Sequence, residues 1–117
     1  FRRNDPAVFG VEVLEGRLKQ KSNVMNETGK TIGSIHQIQN EGKTVSTANR
    51  GDQVAVSMSG PTIGRQVNEG DVLYTLPGEQ EVRTINQKYL QLLSEEDKQL
   101  LKEIITVRRK ASPLYGY

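Results

Sequence analysis

The chain has 117 residues, 34% hydrophobic and 5% aromatic, which bounds it to one domain with a lean core of Val, Ile and Leu. It has no Cys, which excludes disulfides and thiolate metal sites, and no apolar run near the roughly 20 residues of a membrane span, so a soluble cytoplasmic protein is expected. The net charge is +2, with nine Lys/Arg against eight Asp/Glu up to Gly78 and seven against six beyond it; no basic tail or block is present, so any nucleic-acid site must be a local patch on the folded surface.

The chain opens without an initiator Met and without the layout of a signal peptide, and reads as a strand entered partway. Phe9, Val11 and Val13 alternate with Gly10, Glu12 and Leu14, and Glu15-Gly16 supplies a turn. Strands are expected over Val8–Leu14, Asn23–Asn26, Ile32–Gln39, Gln53–Ser59 and Asp71–Leu76. Turn signals separate them at Glu15-Gly16, Glu27-Thr28-Gly29, Asn40-Glu41-Gly42, Arg50-Gly51-Asp52 and Asn68-Glu69-Gly70. Short strands at this spacing, with no helical period between them, predict a small antiparallel β-barrel over residues 1–77.

After Pro77 the period becomes helical. Val82, Ile85, Tyr89 and Leu92/Leu93 mark one face of a first helix. Ser94 caps a second helix with Glu95, Glu96 and Asp97 in its first turn. Leu100, Leu101, Ile104, Ile105 and Val107 form its apolar face, Arg108-Arg109-Lys110 complement its negative end, and Pro113 stops it. Residues 78–117 are therefore expected to form a helical pair packed on the barrel. The fold class is mainly β with two C-terminal α-helices.

Several short signals are set aside. Gly29-Lys30-Thr31 and Gly42-Lys43-Thr44 suggest a phosphate loop, but its first Gly would fall at Val24 or Gln37 and strand-like sequence follows each, so both are hairpin tips. Arg50-Gly51-Asp52 and the sequon Asn26-Glu27-Thr28 read as turns. His36 lies in a strand without Cys or a carboxylate cluster, and Asp52, Glu69 and Asp71 lie in turns. Nothing in the spacing supports catalysis or a metal site.

The segments Arg2–Val13, Glu15–Lys19, Gly29–Ile35, Ala48–Val56 and Gly60–Tyr74, in this order and spacing, closely resemble the last domain of archaeal and eukaryotic translation initiation factor 5B, the relative of bacterial initiation factor two. The Ser94–Lys110 helix with Pro113 after it is similar to the ending of the archaeal form. The resemblance implies a barrel like domain II of elongation factor Tu, followed by helices. It also implies a non-enzymatic, monomeric module that holds the methionylated acceptor end of initiator tRNA on the ribosome. Its helices would receive the C-terminal tail of initiation factor 1A.

On this resemblance, tRNA contacts are expected at Asn40, Lys43, Gly60, Thr62 and Arg65, with Arg65 pairing a phosphate and Gly60 and Thr62 allowing close approach. Leu100, Leu101, Ile104, Ile105, Arg108 and Arg109 are the expected partner surface. The parent factor would be a ribosome-dependent GTPase whose GTP and Mg lie in a domain missing from this chain, with Phe1 marking where the longer factor was cut. No cofactor and no membrane contact is expected of the domain. The competing readings are a purely protein-docking module without tRNA affinity of its own, and a barrel of some other translational GTPase.

Overall fold

Alternation of inward aliphatic and outward small or polar residues builds the strands of the computed structural model, which describes residues 7–59 and 68–116. In chain order they are β1 (Ala7–Glu12), β2 (Arg17–Lys19), β3 (Asn23–Met25), β4 (Thr31–Asn40), β5 (Lys43–Val45), β6 (Thr47–Asn49), β7 (Gln53–Ser59) and β8 (Tyr74–Leu76). The main sheet runs β1-β7-β4-β3-β8, with β5 hydrogen-bonded to β4; β2 and β6 form a separate two-stranded ribbon. Its ladders are antiparallel, as expected.

Val54, Val56 and Met58 of β7 and Ile35 and Ile38 of β4 point inward and join Val13, Val24 and Ala48 in the sheet core. Phe9, Val11 and Leu18 pack against that core, so the period-2 reading of β1 holds. His36 is the extra residue of a bulge: the register slips between Ile35 and Gln37, and His36 is exposed. Among the described residues no ladder joins β1 to β8, the two ends of the sheet, so the pairings do not by themselves close a barrel.

Two turns share one device. In Asn49-Arg50-Gly51-Asp52 and Asn68-Glu69-Gly70-Asp71 the Asp carboxylate accepts from the Asn amide, at 2.8 and 2.9 Å, and the Asp amide donates back to the Asn carbonyl. Gly51 and Gly70 sit at φ 90 and 88, which the turn demands of a residue without Cβ. The second turn shortens the last strand: Val72 N–H is taken by Glu27, and only Tyr74–Leu76 pairs.

The helices are α1 (Glu79–Thr84) and α2 (Glu95–Arg109). Ser94 accepts from Asp97 N–H at 3.1 Å and caps α2 as its sequence predicts. The first helix departs from expectation. The Thr84 hydroxyl bonds back to the Gln80 carbonyl at 2.9 Å, a contact that bends helices. Beyond it the chain widens to a π-helical turn over Ile85–Tyr89 and then a 3-10 turn over Leu90–Leu92. Val82 is buried and Ile85 and Leu93 half-buried, whereas Tyr89, Leu90 and Leu92 are exposed. Among the described residues no helix is long and apolar enough to cross a membrane.

Candidate nucleic-acid and partner interface

The β4–β5 hairpin turns through Glu41 (φ 53) and Gly42 (φ 79), two consecutive residues in the left-handed region, as a two-residue hairpin of matching twist requires. Asn40 and Lys43 flank it as direct cross-strand partners, so their side chains leave the same face of the hairpin, the one that carries Ile38 and Val45, opposite to Gln39 and Thr44. Lys43 is exposed and Asn40 half-buried. These are two of the five residues expected at the tRNA surface; Gly60, Thr62 and Arg65 lie outside the described residues.

The strand leading to them ends at Ser59, opposite Ser34, while the Asn40–Lys43 tip lies beyond the Gln39–Ala55 pair at the other end of the same ladder. Six residues of β4 separate these ends, about 20 Å at strand rise. Between them the outward residues of β4, β7 and β1 include Gln37, Gln39, Ala55, Ser57 and Gly10. On β4 and β7 this face carries amides, hydroxyls and small side chains; β1 adds Val8 and, opposite Gln53, the exposed carboxylate of Glu12.

At the open ends of the sheet lies a cleft of about 460 Å³. Phe9, Val11, Leu73, Leu100 and Ile104 give it apolar walls, with Glu103 among the polar residues that line it. The Tyr74 hydroxyl donates to Glu103 at 3.1 Å, and burial first, then that carboxylate, raises its pKa above the usual phenol value.

Helix α2 sits across the end of β3 and β8. Ile104 and Val107 cover Met25, with Tyr74, Leu76 and Leu100 around them. Its other edge, Leu101, packs with Val82 and Tyr115, flanked by Ile85, Leu93 and Ile105. The expected partner residues are thus brought together, but differently placed: Leu101 and Ile104 are buried, and Leu100 and Ile105 are half-buried.

The basic end of α2 is bonded within the chain. Arg108 Nη1 donates to the Gly29 carbonyl at 2.7 Å and to Thr31 Oγ1 at 3.2 Å, and Lys110 donates to the Glu27 carbonyl. Arg109 Nε donates to the Tyr115 carbonyl at 2.8 Å. Gly29, at φ 83, lets the β3–β4 turn meet the helix backbone. Exposed apolar side chains instead stand at Tyr89, Leu90 and Leu92, of which helical periodicity had put Tyr89 and Leu92 on a covered face. Thr84, whose hydroxyl can bond the carbonyl four residues before it, was the sequence signal for that break.

A sequence-family model described as elongation factor Tu domain 4 matches residues 1–74. A probable translation initiation factor IF-2 of Ignicoccus hospitalis is 47% identical over 117 residues, covering 99% of this chain and 19% of that protein. The corresponding protein of Methanopyrus kandleri is 40% identical over 116 residues, again 99% of this chain and 19% of that one. The crystal structure of GDP-bound aIF5B from Aeropyrum pernix matches with a TM-score of 0.89 and 38% identity, over 99% of this chain and 20% of that chain. The chain spans about a fifth of the length of these relatives.

Proposed function

This chain belongs to the elongation factor Tu domain 4 family, as a domain of the IF-2/aIF5B kind of translation initiation factor, and on that premise we propose that it binds the methionylated acceptor end of initiator tRNA. The observation that carries the reading is the uncharged outer face of β4 and β7, running from the Asn40–Lys43 hairpin to Ser59. A single-stranded RNA end is recognised through base edges and 2′-hydroxyls, which amide and hydroxyl side chains suit, with a few cations on its phosphates. At the hairpin end Thr44, opposite Gln39, continues this face, while Lys43 and Asn40 leave the other face of the tip, that of Ile38 and Val45, and meet the RNA where it rounds the hairpin. Arg65, Gly60 and Thr62, which follow Ser59 in sequence, are assigned to the same RNA end on the family resemblance alone.

In this reading the sheet is a barrel whose seam lies between β1 and residues 70–74, and the apolar cleft at that seam seats the methionyl side chain. The domain acts within a ribosome-dependent GTPase, in the cytoplasm and as a monomer, and supplies binding rather than chemistry. The initiation factor 1A tail docks on the helices. Its contacts are the half-buried edges of Leu100 and Ile105 and the exposed Tyr89, Leu90 and Leu92, because Leu101 and Ile104 are covered and Arg108 and Arg109 already hold internal carbonyls. That exposed patch also favours the second reading, a docking module without tRNA affinity of its own.

Lys43→Ala and Arg65→Ala test the tRNA track. Each should weaken binding of methionylated initiator tRNA and lower the slope of log affinity against log salt by about 0.7, one phosphate contact on a single strand. Two variants with unchanged affinity and slope would remove the assignment and leave the docking reading.

A further inference from the structure

The two-stranded ribbon of β2 and β6 has no part in the reading above. Arg17 pairs with Asn49, Leu18 with Ala48 and Lys19 with Thr47. Leu18 packs on the sheet core and Ala48 is buried within it, so Arg17, Lys19, Thr47 and Asn49 occupy the opposite, outward face. Lys21, just past the strand at φ 67, is exposed too; its amide is fixed on the Ile35 carbonyl at 2.9 Å. Arg17 and Lys19 are thus same-face neighbours on β2, and Lys21 follows in the turn beyond it, exposed but outside the ladder. Same-face neighbours in a strand stand about 6.8 Å apart, so Arg17 and Lys19 present two separate charges along one line.

None of the three cations makes a side-chain hydrogen bond or ion pair among the described residues. Of the acids nearby, Glu15 is paired with Arg50 at 3.9 Å, the same guanidinium reaches Glu96 at 3.5 Å, and the Asp52 carboxylate accepts from the Asn49 amide. The cross-strand partners Thr47 and Asn49 are uncharged hydrogen-bonding residues. No aromatic side chain stands on this face, since Arg17, Lys19, Thr47 and Asn49 make it up. Proteins that hold unpaired bases interleave cations with aromatic platforms, and a row without them fits a backbone whose bases are already paired.

We infer that the β2–β6 ribbon is a second RNA surface, which grips the phosphate backbone of a duplex RNA segment without reading its sequence. Arg17, Lys19 and Lys21 supply the charge, and Thr47 and Asn49 bond to phosphate or 2′-hydroxyl oxygens between them. The ribbon lies on a different element from the acceptor-end track.

The test uses an RNA hairpin of unrelated sequence with no aminoacyl group, so failure of the acceptor-end reading does not touch it. Affinity of the 117-residue chain is measured across a salt series. The variant Arg17→Gln, Lys19→Gln, Lys21→Gln keeps the side-chain stems and should lower the salt slope by about 2.7, that is 0.9 for each contact. The charge-conserving variant Arg17→Lys, Lys19→Arg, Lys21→Arg should bind as the parent does. An unchanged slope in the Gln variant overturns the inference. Equal or tighter binding of the unpaired strand, or of a polyglutamate of matched charge, overturns it too.

Discussion

Replacing Gly29 with alanine should lower the melting temperature by roughly 12 °C or more, corresponding to about 3–4 kcal/mol in a chain of this size. Two costs combine. A non-glycine residue held at φ 83 costs about 1–2 kcal/mol on backbone sterics alone. The new Cβ would also overlap the Val107 carbonyl oxygen and lie 3.1 Å from the Arg108 Cα, both helix backbone that cannot rotate away. Crowding of that kind adds about 1–3 kcal/mol. The helix and the β3–β4 turn must part, and the Arg108 bonds to Gly29 and Thr31 part with them.

Gly42→Ala is the control. Gly42 sits at φ 79 with nothing within 4 Å of the added Cβ, so only the backbone cost applies. If thermal melts give the two variants the same stability, Gly29 is an ordinary turn glycine and the account of how α2 is held is wrong.

The second large effect is expected at Tyr115. Its ring is buried with Val82 and Leu101, its hydroxyl donates to the Pro77 carbonyl, and its own carbonyl accepts from Arg109. It closes the chain end over both helices. Tyr115→Ala should cost about 3–5 kcal/mol, the usual range for deleting a buried aromatic ring. Tyr115→Phe should cost about 1–2 kcal/mol, because it leaves the Pro77 carbonyl unpaired while keeping the packing.

Alkaline pH offers an independent reading of the same residue. Burial pushes the Tyr115 phenol up to about 12 from its ordinary value of 10. The folded state holds the proton more tightly than the unfolded chain, so the contribution is intact below pH 10. It is lost as pH rises from about 10 to about 12, by on the order of 2 kcal/mol. Tyr74 shifts in the same direction, so Tyr115→Phe should flatten the alkaline limb without abolishing it. Urea melts at pH 8 and pH 11 measure this; an equal loss in parent and Phe variant would contradict it.

The strands that bury a full inward row were legible in the sequence. Val54, Val56 and Met58, or Ile35 and Ile38, leave an alternating trace that survives a bulge at His36. The strands β2, β5 and β6 were not, because each is three residues long and buries little: Leu18 in one, Ala48 in another. Turn and cap chemistry was equally local, and Ser94, Asp52 and Asp71 make the bonds their positions suggest. What sequence could not supply was the partner of each apolar face. Leu101 and Ile104 read as available to a second protein, and Met25, Val82 and Tyr115 fill that space instead.

The basic residues follow the same rule. Arg108-Arg109-Lys110 read as a charged helix end, yet bonds to the distant Gly29 and Glu27 and to nearby Tyr115 engage all three. Arg17 and Lys19 carry no signal of their own in a composition balanced to +2; the ribbon register sets them on one face, with Lys21 in the turn that follows. Of the candidate tRNA residues, Asn40 and Lys43 are paired across a hairpin that their turn sequence announced.

The central claim is that this domain holds an aminoacylated RNA end. The most direct measurement is the affinity of the chain for methionylated against deacylated initiator tRNA, at one salt concentration and with the RNA otherwise identical. Burying an apolar side chain in the cleft at the sheet's seam is worth about 1.5–3 kcal/mol, so the methionylated form should bind roughly tenfold tighter or more. Equal affinities for the two forms would contradict the account.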